Sequence, residues 1–410
     1  MTPLTPQQMA TRSFPSDILA AILNTDTGEL MEYHHLIKNP KYCATWKNAY
    51  GKELGRLAQG IPGTVQGTNT IVFISANHIP PDRRKDVTYG WIVTNYQPEK
   101  DNLYRIRLTV GDNRITYPGD CGTPTADTLT TKVLLNSVIS TKGACFRTID
   151  IKDFYLNTPM VRPEYMQLKV SDIPAHIIAL YKLDTLTTTD GYVYVLIQKG
   201  MYGLPQAGII AQNLLETRLA TKGYRQSTIT PGFWKHDWHL ISFTLCVDNF
   251  GVKYVSITHA HHLLQTLNDH YQSSQDWKGE HYFGLTITWD YAQQQVHLSM
   301  PGYWQKAGQR FHHPAPTKQQ HQPHPHAPRT YGATQQFAET QHNSPLLNKT
   351  DKIFVQEVIG VFLYYARAVD CTMLPALGSL ATQQVAPTQN TLTKGKNFSW
   401  TMPCHTQMPW

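Results

Sequence analysis

The spacing of apolar residues changes several times along the chain, and each spacing predicts a type of secondary structure. Helical spacing predicts helices over residues 43–57 and 125–140. In the second of these, Leu129, Val133, Leu134 and Val138 are expected to lie on one face. Further apolar patterns with helical spacing predict helices at residues 18–23, 214–219, 260–271 and 354–380.

Runs of β-branched and aromatic residues alternate with these helices and predict strands. Residues 240–246 and 252–256 flank the polar pair Asp248-Asn249, which is typical of a hairpin. Asparagine tolerates a positive φ, so Asn249 suits this turn. Residues 200–208 contain three glycines and a proline and are expected to form a loop. The other predicted strands are residues 70–74, 89–93, 145–156 (running into a turn or helix start), 192–197, 285–289 and 296–300.

Between His312 and His342 large apolar residues almost disappear, and His, Gln, Pro, Thr and Ala dominate. Such a segment cannot bury enough surface to offset its ordering entropy, so we predict a flexible tether. Its histidines His321, His324 and His326 could bind a metal ion adventitiously, but their composition favours a solvated tether.

Composition and charge narrow the class of protein only slightly. The net charge of +7 and the sequence pI near 8.9 fit a polyanionic partner, yet many soluble proteins share them. The six cysteines contain no C-x-x-C pair, and neither a secretory signal nor a membrane-spanning run is recognisable. We therefore expect an intracellular protein with reduced thiols. The group His259, His261 and His262 is expected on the solvated first turn of a helix, without the ligand geometry of a zinc site.

Two acidic turns, at Asp150 and at Asp248, follow predicted strands. A carboxylate at the end of a buried strand is costly unless it is paired or bound to a metal. If the two strands are neighbours in one sheet, these carboxylates form an oxygen-rich site that suits Mg²⁺. Two metal ions at such a site can activate a 3′-hydroxyl and stabilise a departing pyrophosphate. Each aspartate also has a simpler interpretation, since Asp150 could cap a following helix and Asp248 could serve a tight turn.

Six segments, in the same order, resemble the reverse-transcriptase domain of copia-type retroelements. Residues 246–249, CVDN, stand where that family has Y-V-D-D, and residues 150–157, DIKDFYLN, are similar to its first metal-binding motif. An ordered set of motifs is far more specific than any one of them. The other similar segments are residues 105–108 (RIRL), 199–207 (KGMYGLPQA), 281–285 (HYFGL) and 359–365 (IGVFLYY).

The resemblance implies an α+β right-hand polymerase with fingers, palm and thumb, in which an antiparallel palm sheet packs on helices. It also implies two Mg²⁺ ions, replaceable by Mn²⁺, and as partners an RNA or DNA template with a DNA primer and deoxynucleoside triphosphates. Asp150 and Asp248 would hold the metals, and Asn249 occupies the remaining catalytic position. The implied nucleotide contacts are Tyr155, Gln206, Arg107, Asp153 and Phe154, and the implied primer contacts are Phe283, Gly284 and Leu285.

Four of these implied roles have structural alternatives. Asp153 would approach the triphosphate, or it caps the turn. Tyr155 would lie under the sugar and exclude a 2′-hydroxyl, or it is an ordinary core aromatic. Gln206 would touch the nucleotide from the Gly-rich loop, or it bonds within that loop. Arg107 would reach the triphosphate, for which its planar guanidinium is apt, or it is a surface cation on a strand.

The implied division is an N-terminal extension (1–42), fingers and palm (43–272), a primer-binding hairpin and start of the thumb (273–312), a tether (313–345), a helical thumb or connection remnant (346–393) and a tail (394–410).

Two features depart from the family pattern. Asn249 replaces an aspartate; it keeps one carbonyl oxygen but loses the negative charge that balances a divalent ion. We therefore expect the fold to persist and catalysis to be impaired, with an inactive remnant that at most binds nucleic acid as the alternative.

The resemblance also stops at residue 394. In the reading frame that starts at the third base of each first codon, the codons of residues 400–401 always encode aspartate and those of residues 402–403 always encode alanine. We therefore interpret residues 394–410 as a frame-shifted tail.

Overall fold

The computed structural model describes residues 21–23, 30–96, 103–311 and 344–401. The chain divides into two compact units, Met1–Phe283 and Gly284–Trp410. Within the described ranges, no helix is long and apolar enough to cross a membrane. The predictions that fall outside these ranges are the tether with His321, His324 and His326, the N-terminal extension up to residue 20, and residues 402–410 of the tail.

The first unit contains most of the described strands, and these form two large sheets. Its helices are α1 (Tyr33–Leu36), α2 (Pro40–Leu57), α3 (Thr128–Ile139), α4 (Ala175–Tyr181), α5 (Ala207–Ala220) and α6 (Ile257–Asn268). Its strands are β1 (Ala21–Leu23), β2 (Leu30–Glu32), β3 (Gly60–Ile61), β4 (Val65–Gln66), β5 (Ile71–Ile74), β6 (Thr88–Tyr96), β7 (Tyr104–Val110), β8 (Cys145–Ile151), β9 (Pro159–Lys169), β10 (Tyr192–Lys199), β11 (Tyr224–Gln226), β12 (Phe233–His236), β13 (Ile241–Cys246), β14 (Asn249–Tyr254), β15 (Ser273–Asp276) and β16 (His281–Tyr282).

Two sheets organise this unit. The five-stranded sheet has the order β5-β10-β9-β6-β7, and the six-stranded sheet has the order β11-β12-β13-β14-β8-β15. Every pair in the six-stranded sheet is antiparallel. Strand β8, which carries Asp150, lies next to β14, which begins at Asn249. The mixed fold with helices on antiparallel sheets is therefore as predicted, and the two acidic turns are brought to neighbouring strands.

Helix α2 covers the five-stranded sheet with an apolar face. Its N-terminus is capped by Asn39, whose side chain accepts the N–H of Lys41, and Pro40 occupies the first turn, where its missing N–H costs nothing. Trp46 and Leu54 on its inner face are fully buried. The predicted helix over residues 43–57 is thus confirmed, and burial of its aromatic face against the sheet stabilises it.

Helices α5 and α6 cover one face of the six-stranded sheet. Their side chains share a core with the sheet residues that point the same way. Successive residues of a strand point to opposite faces of the sheet. Ile149 and Ile151 of β8 belong to this core, so Asp150 between them points to the other face. The core comprises Ile149, Ile151, Phe243, Leu245, Phe250 and Val252 from the sheet, Ala211, Leu215 and Leu219 from α5, and Ala260, Leu263 and Leu267 from α6.

In its described residues the second unit contains a hairpin and four helices. Strands β17 (Leu285–Asp290) and β18 (Gln295–Ser299) pair antiparallel, as predicted. Trp304 stacks on Phe362, with ring centroids 4.8 Å apart, and so ties the first of these helices to the second. The helices are α7 (Tyr303–Arg310), α8 (Lys349–Ala368), α9 (Leu374–Ala381) and α10 (Gln389–Thr401).

Two predicted helical features are wrong. Residues 21–23 form strand β1, paired with β2, because the main chain there finds hydrogen-bond partners in Leu30–Glu32. Leu129 and Val133 do not lie on the buried face of α3; they are 68% and 61% exposed. They stand four residues apart on one stripe, while the buried stripe contains Leu134 and Val138.

The corrected face of α3 gives a first testable prediction. We expect Leu129→Lys and Val133→Lys to change the free energy of unfolding by less than about 0.5 kcal/mol, since both sites are solvated. Val138→Ala, on the buried stripe, is expected to cost roughly 1–2 kcal/mol because it leaves a cavity. Urea denaturation of the three variants measures this. Equal losses at residues 129 and 138 would contradict the assignment of faces.

Candidate active site

The acidic turns meet at one end of the six-stranded sheet. Asn249 is directly opposite Asp150 in the β14–β8 pairing, and the N–H of Ile151 donates to the carbonyl oxygen of Asp248 at 2.9 Å. This backbone register brings the carboxylates of Asp150 and Asp248 close enough for each charge to act on the other. Both side chains line the same cleft.

The turn of the β13–β14 hairpin differs from the prediction. Cys246 pairs with Asn249, so the central turn residues are Val247 and Asp248, and Asn249 is the first residue of β14. The positive φ of +60° falls on Val247, not on Asn249. A positive φ at the first central residue only is the pattern of a type II′ turn, in which glycine is preferred and a β-branched residue is strained. Backbone strain of this kind costs about 1–3 kcal/mol and concentrates at functional sites.

The two carboxylates are unfavourable neighbours in the absence of a cation. Burial, and next the charge of Asp150, raise the pKa of Asp248 from 3.8 to about 6. The side-chain amide of Asn249 partly offsets this by donating from Nδ2 to Asp248 Oδ1 at 2.8 Å. A divalent cation would relieve the same repulsion more completely, because carboxylate oxygens are its preferred ligands.

The donor set fits one such ion better than two. Asp150 and Asp248 offer carboxylate oxygens at the cleft. Asn249 directs its N–H group, not its oxygen, at Asp248 and is thus engaged as a donor. Asparagine has only one oxygen for a ligand and no negative charge. The residues present therefore fit a divalent cation held by Asp150 and Asp248, with a deficit of negative charge for a second.

The cleft facing these carboxylates has a volume of about 760 Å³ and a basic wall. Arg107 stacks on the ring of Tyr202 at 5.0 Å, and its charge also lowers the pKa of Asp248. Arg56 forms ion pairs with Glu53, at 2.9 Å, and with Asp153. Positive groups thus line the wall of a cleft whose acidic end is formed by the strand turns. The charged residues of the lining are Lys52, Glu53, Arg56, Arg105, Arg107, Asp150, Lys152, Asp153 and Asp248.

A glycine of the loop predicted at residues 200–208 positions Tyr202. Gly203 has a φ of +90°, and a Cβ there would collide with the carbonyl oxygen of Val110. The N–H of Val110 donates to the carbonyl oxygen of Tyr202 at 2.8 Å. This close approach of two backbones holds Tyr202 beside β7, the strand that carries Arg107.

Not every residue implied by the family resemblance lines the cleft. Tyr155 is half-buried, and its ring centroid lies 5.3 Å from that of Tyr202. It therefore contacts a residue that lines the cleft but does not line the cleft itself. Phe154 is 2% exposed and belongs to the core under α5 and α6. Gln206 is 1% exposed and donates to Glu164 Oε1 at 3.2 Å. Phe154 thus packs in the core and does not face the cleft. Gln206 would have to break its hydrogen bond to Glu164 before it could contact a nucleotide.

The three implied primer contacts are consecutive in the chain, where Phe283 is the last residue of the first unit and Gly284 the first residue of the second. Phe283 and Gly284 have φ values of +56° and +74°. Leu285 begins β17 and is 2% exposed. Their part in primer binding stays a prediction.

Sequence reasoning missed the cations that α2 contributes. Lys52 and Arg56 are one helical turn apart and both line the cleft. The only sequence signal was Glu53, an acidic residue among apolar helix positions, which is 6% exposed and pairs with Arg56. A buried carboxylate on an amphipathic helix requires a cationic partner, and that requirement points to Arg56.

Comparisons with known proteins place this chain only loosely. No protein-family model matches the sequence, and no curated protein matches it. Among solved structures, that of a foamy viral protease-reverse transcriptase in complex with double-stranded DNA overlaps 80% of this chain, at 11% sequence identity and a TM-score of 0.39. The chain covers 44% of that protein's chain. A likeness of this size assigns neither the fold nor the activity.

Proposed function

We propose that the first unit is a templated nucleotidyl transferase of the copia-type reverse-transcriptase kind, with catalysis weakened by Asn249. One observation carries this proposal: Asp150 and Asp248, from neighbouring strands, form the acidic end of a cleft whose wall carries Arg56 and Arg107. A nucleoside triphosphate bound to Mg²⁺ is complementary to such a cleft, because it combines a divalent cation with a polyanionic chain.

The reaction would proceed by attack of a primer 3′-hydroxyl on the α-phosphate of the bound nucleotide. The new phosphorus–oxygen bond forms as the bond to the departing pyrophosphate breaks, and the hydroxyl proton passes to water. Asp150 and Asp248 would hold a Mg²⁺ ion, which would lower the pKa of the attacking hydroxyl and neutralise the negative charge that develops on the phosphate oxygens. Arg107, braced by Tyr202, would hold the triphosphate with its planar guanidinium. Arg56 would add positive charge after releasing Asp153.

Under this proposal the six-stranded sheet is the palm, the five-stranded sheet with α2 belongs to the fingers, and the second unit belongs to the thumb. The partners are an RNA or DNA template with a DNA primer, and deoxynucleoside triphosphates. Tyr155 would limit access at the sugar through its contact with Tyr202. Phe283, Gly284 and Leu285 would contact the primer. Positive residues bind a phosphate backbone in a salt-dependent way, so we expect primer–template binding to weaken as salt increases.

A second candidate function is nucleic-acid binding without catalysis. It is favoured by the hydrogen bond from Asn249 Nδ2 to Asp248 Oδ1, which occupies one carboxylate oxygen that a metal would use. The two candidates share the cleft and differ in whether a nucleotide is incorporated.

Primer extension with the full chain separates them. We expect slow incorporation that requires Mg²⁺ or Mn²⁺ and that Asp150→Asn abolishes, because one metal ligand loses its charge. Asp190→Asn, which changes an exposed carboxylate outside the cleft, is the matched control and should retain the rate. If the unmodified chain and Asn249→Asp both bind primer–template but incorporate nothing, the transferase proposal fails and the binding function remains.

A further inference from the structure

Histidines gather at the end of β13 that is remote from the acidic turn. His236 ends β12, His239 lies in the following loop, and His262 lies on α6. One ring nitrogen from each lies within 4.8 Å of the others. Strand β13 separates this group from Asp248; its six residues extend about 20 Å at the usual rise per residue. The group is therefore independent of the cleft and of the proposed function.

The expectation that His262 lies on a solvated helical turn is wrong. His262 is half-buried, and its Nδ1 is hydrogen-bonded to the hydroxyl of Tyr224 at 2.9 Å. The ring centroid of His239 lies 4.7 Å from that of His262 and 4.3 Å from that of His236. His236 and His239 are distant from His262 in sequence, so only the fold of the β12–β13 loop against α6 brings them together. His261, by contrast, is exposed, as expected.

In His236 and His262, one ring nitrogen is hydrogen-bonded to another protein group, as is usual in metal-binding histidines. His236 Nε2 is 2.9 Å from the carbonyl oxygen of Lys222, which fixes the proton on Nε2 and leaves the lone pair on Nδ1. Tyr224 holds Nδ1 of His262, so that Nε2 of His262 is the nitrogen left for a ligand. Without metal, His236 Nδ1 accepts the N–H groups of Trp238 and His239 at 3.2 and 3.0 Å. An ion would replace these two contacts, and both belong to the loop that carries His239.

A fourth imidazole adjoins the group. The ring centroid of His259 lies 4.7 Å from that of His239. Its Nδ1 is buried and has no hydrogen-bond partner among the described residues. A buried polar atom without a partner is costly and requires an explanation, and a cation beside it is one that this cluster of imidazoles supports.

We propose that His236, His239 and His262 bind a transition-metal ion of the zinc class. Imidazole nitrogens suit Zn²⁺, Co²⁺ and Ni²⁺, whereas Mg²⁺ prefers the oxygens of the cleft. The ion would join the end of β12, the β12–β13 loop and α6, and the bond from His236 to the carbonyl oxygen of Lys222 would link it to the α5–β11 turn. It is a structural site that stabilises the sheet end opposite the catalytic turn.

Titration of the metal-free full chain with Zn²⁺ and Co²⁺ tests this proposal. We expect one tight site per chain, a visible absorption spectrum typical of tetrahedral Co²⁺, and an increase in melting temperature on adding Zn²⁺. His239→Ala and His262→Ala should each weaken binding by more than about tenfold and abolish the spectrum. Tyr224→Phe, which removes only the contact to Nδ1, should weaken binding by about tenfold.

The controls address the 19 histidines of the chain. His261→Ala changes an exposed neighbour on the same helix, and a combined change of His321, His324 and His326 to alanine removes the central histidine cluster of the predicted tether. Both should retain the tight site. The proposal is overturned by the absence of a tight site in the unmodified chain, or by loss of the site only in the tether variant. X-ray absorption on the unmodified, Zn²⁺-loaded chain provides a test that needs no variant: oxygen ligands without imidazole would also overturn it.

Discussion

Asn249→Asp is expected to raise the rate of Mg²⁺-dependent primer extension by about 100-fold, the scale on which a well-placed charge lowers a reaction barrier. In the unmodified chain the amide of Asn249 donates to Asp248 Oδ1 and contributes no negative charge. Aspartate at this position, directly opposite Asp150, would add a third carboxylate to the acidic end of the cleft. That carboxylate would remove the charge deficit for a second divalent ion.

The rate of single-nucleotide incorporation under single-turnover conditions measures this effect, with Mg²⁺ titrated for both proteins. Asn213→Asp is the matched control, since it makes the same chemical change on the exposed side of α5. The gain should depend on metal concentration and vanish in Asn249→Asp/Asp150→Asn. An equal gain in Asn213→Asp would mean that net charge, not the ligand set, changes the rate. No gain in Asn249→Asp would mean that Asn249 does not limit catalysis.

The sequence was most informative where local chemistry allows few structures. The β-branched run at residues 192–197 and the glycines of the following loop leave little choice, and β10 and Gly203 behave as predicted. The pairing of Asp150 with the hairpin turn was also predictable, because two strands that end in carboxylates require a common partner. The register of β14 and β8 brings Asp150 and Asp248 together.

Features that depend on tertiary contacts were missed or misassigned. The positive φ falls on Val247 because the β14–β8 register makes Asn249 the first strand residue, and no local preference of valine indicates this. Arg56 reaches the cleft only because α2 packs beside β7, far away in sequence. His262 meets His236 through a loop whose course is set by strand pairing. In each case the partner is fixed by the sheet, not by neighbours along the chain.

Asp248→Asn is expected to stabilise the metal-free protein by about 2–3 kcal/mol at pH 8, although it removes a metal ligand. Burial and the charge of Asp150 raise the pKa of Asp248 from 3.8 to about 6, so its ionised form destabilises the folded state. The stability that protonated Asp248 contributes is therefore fully present below about pH 4 and is lost as the pH rises through about 6. Asparagine never ionises, and its carbonyl oxygen can still accept the N–H of Asn249.

Chemical denaturation in the presence of a chelator at pH 8 and at pH 4 checks both the size and the sign. The advantage of Asp248→Asn should be largest at pH 8 and nearly disappear at pH 4, where Asp248 is protonated in the folded state and about half protonated in the unfolded state. Asp237→Asn, at an exposed ion pair with Arg225, should give less than about 1 kcal/mol. Adding Mg²⁺ should stabilise the unmodified chain more than the variant, because the ion supplies the missing counter-charge. A site that is unstable when empty and stabilised by its ion is what the proposed metal-dependent catalysis would require of Asp150 and Asp248. Loss of stability in Asp248→Asn at pH 8 would instead mean that Asp248 is a structural residue of the turn.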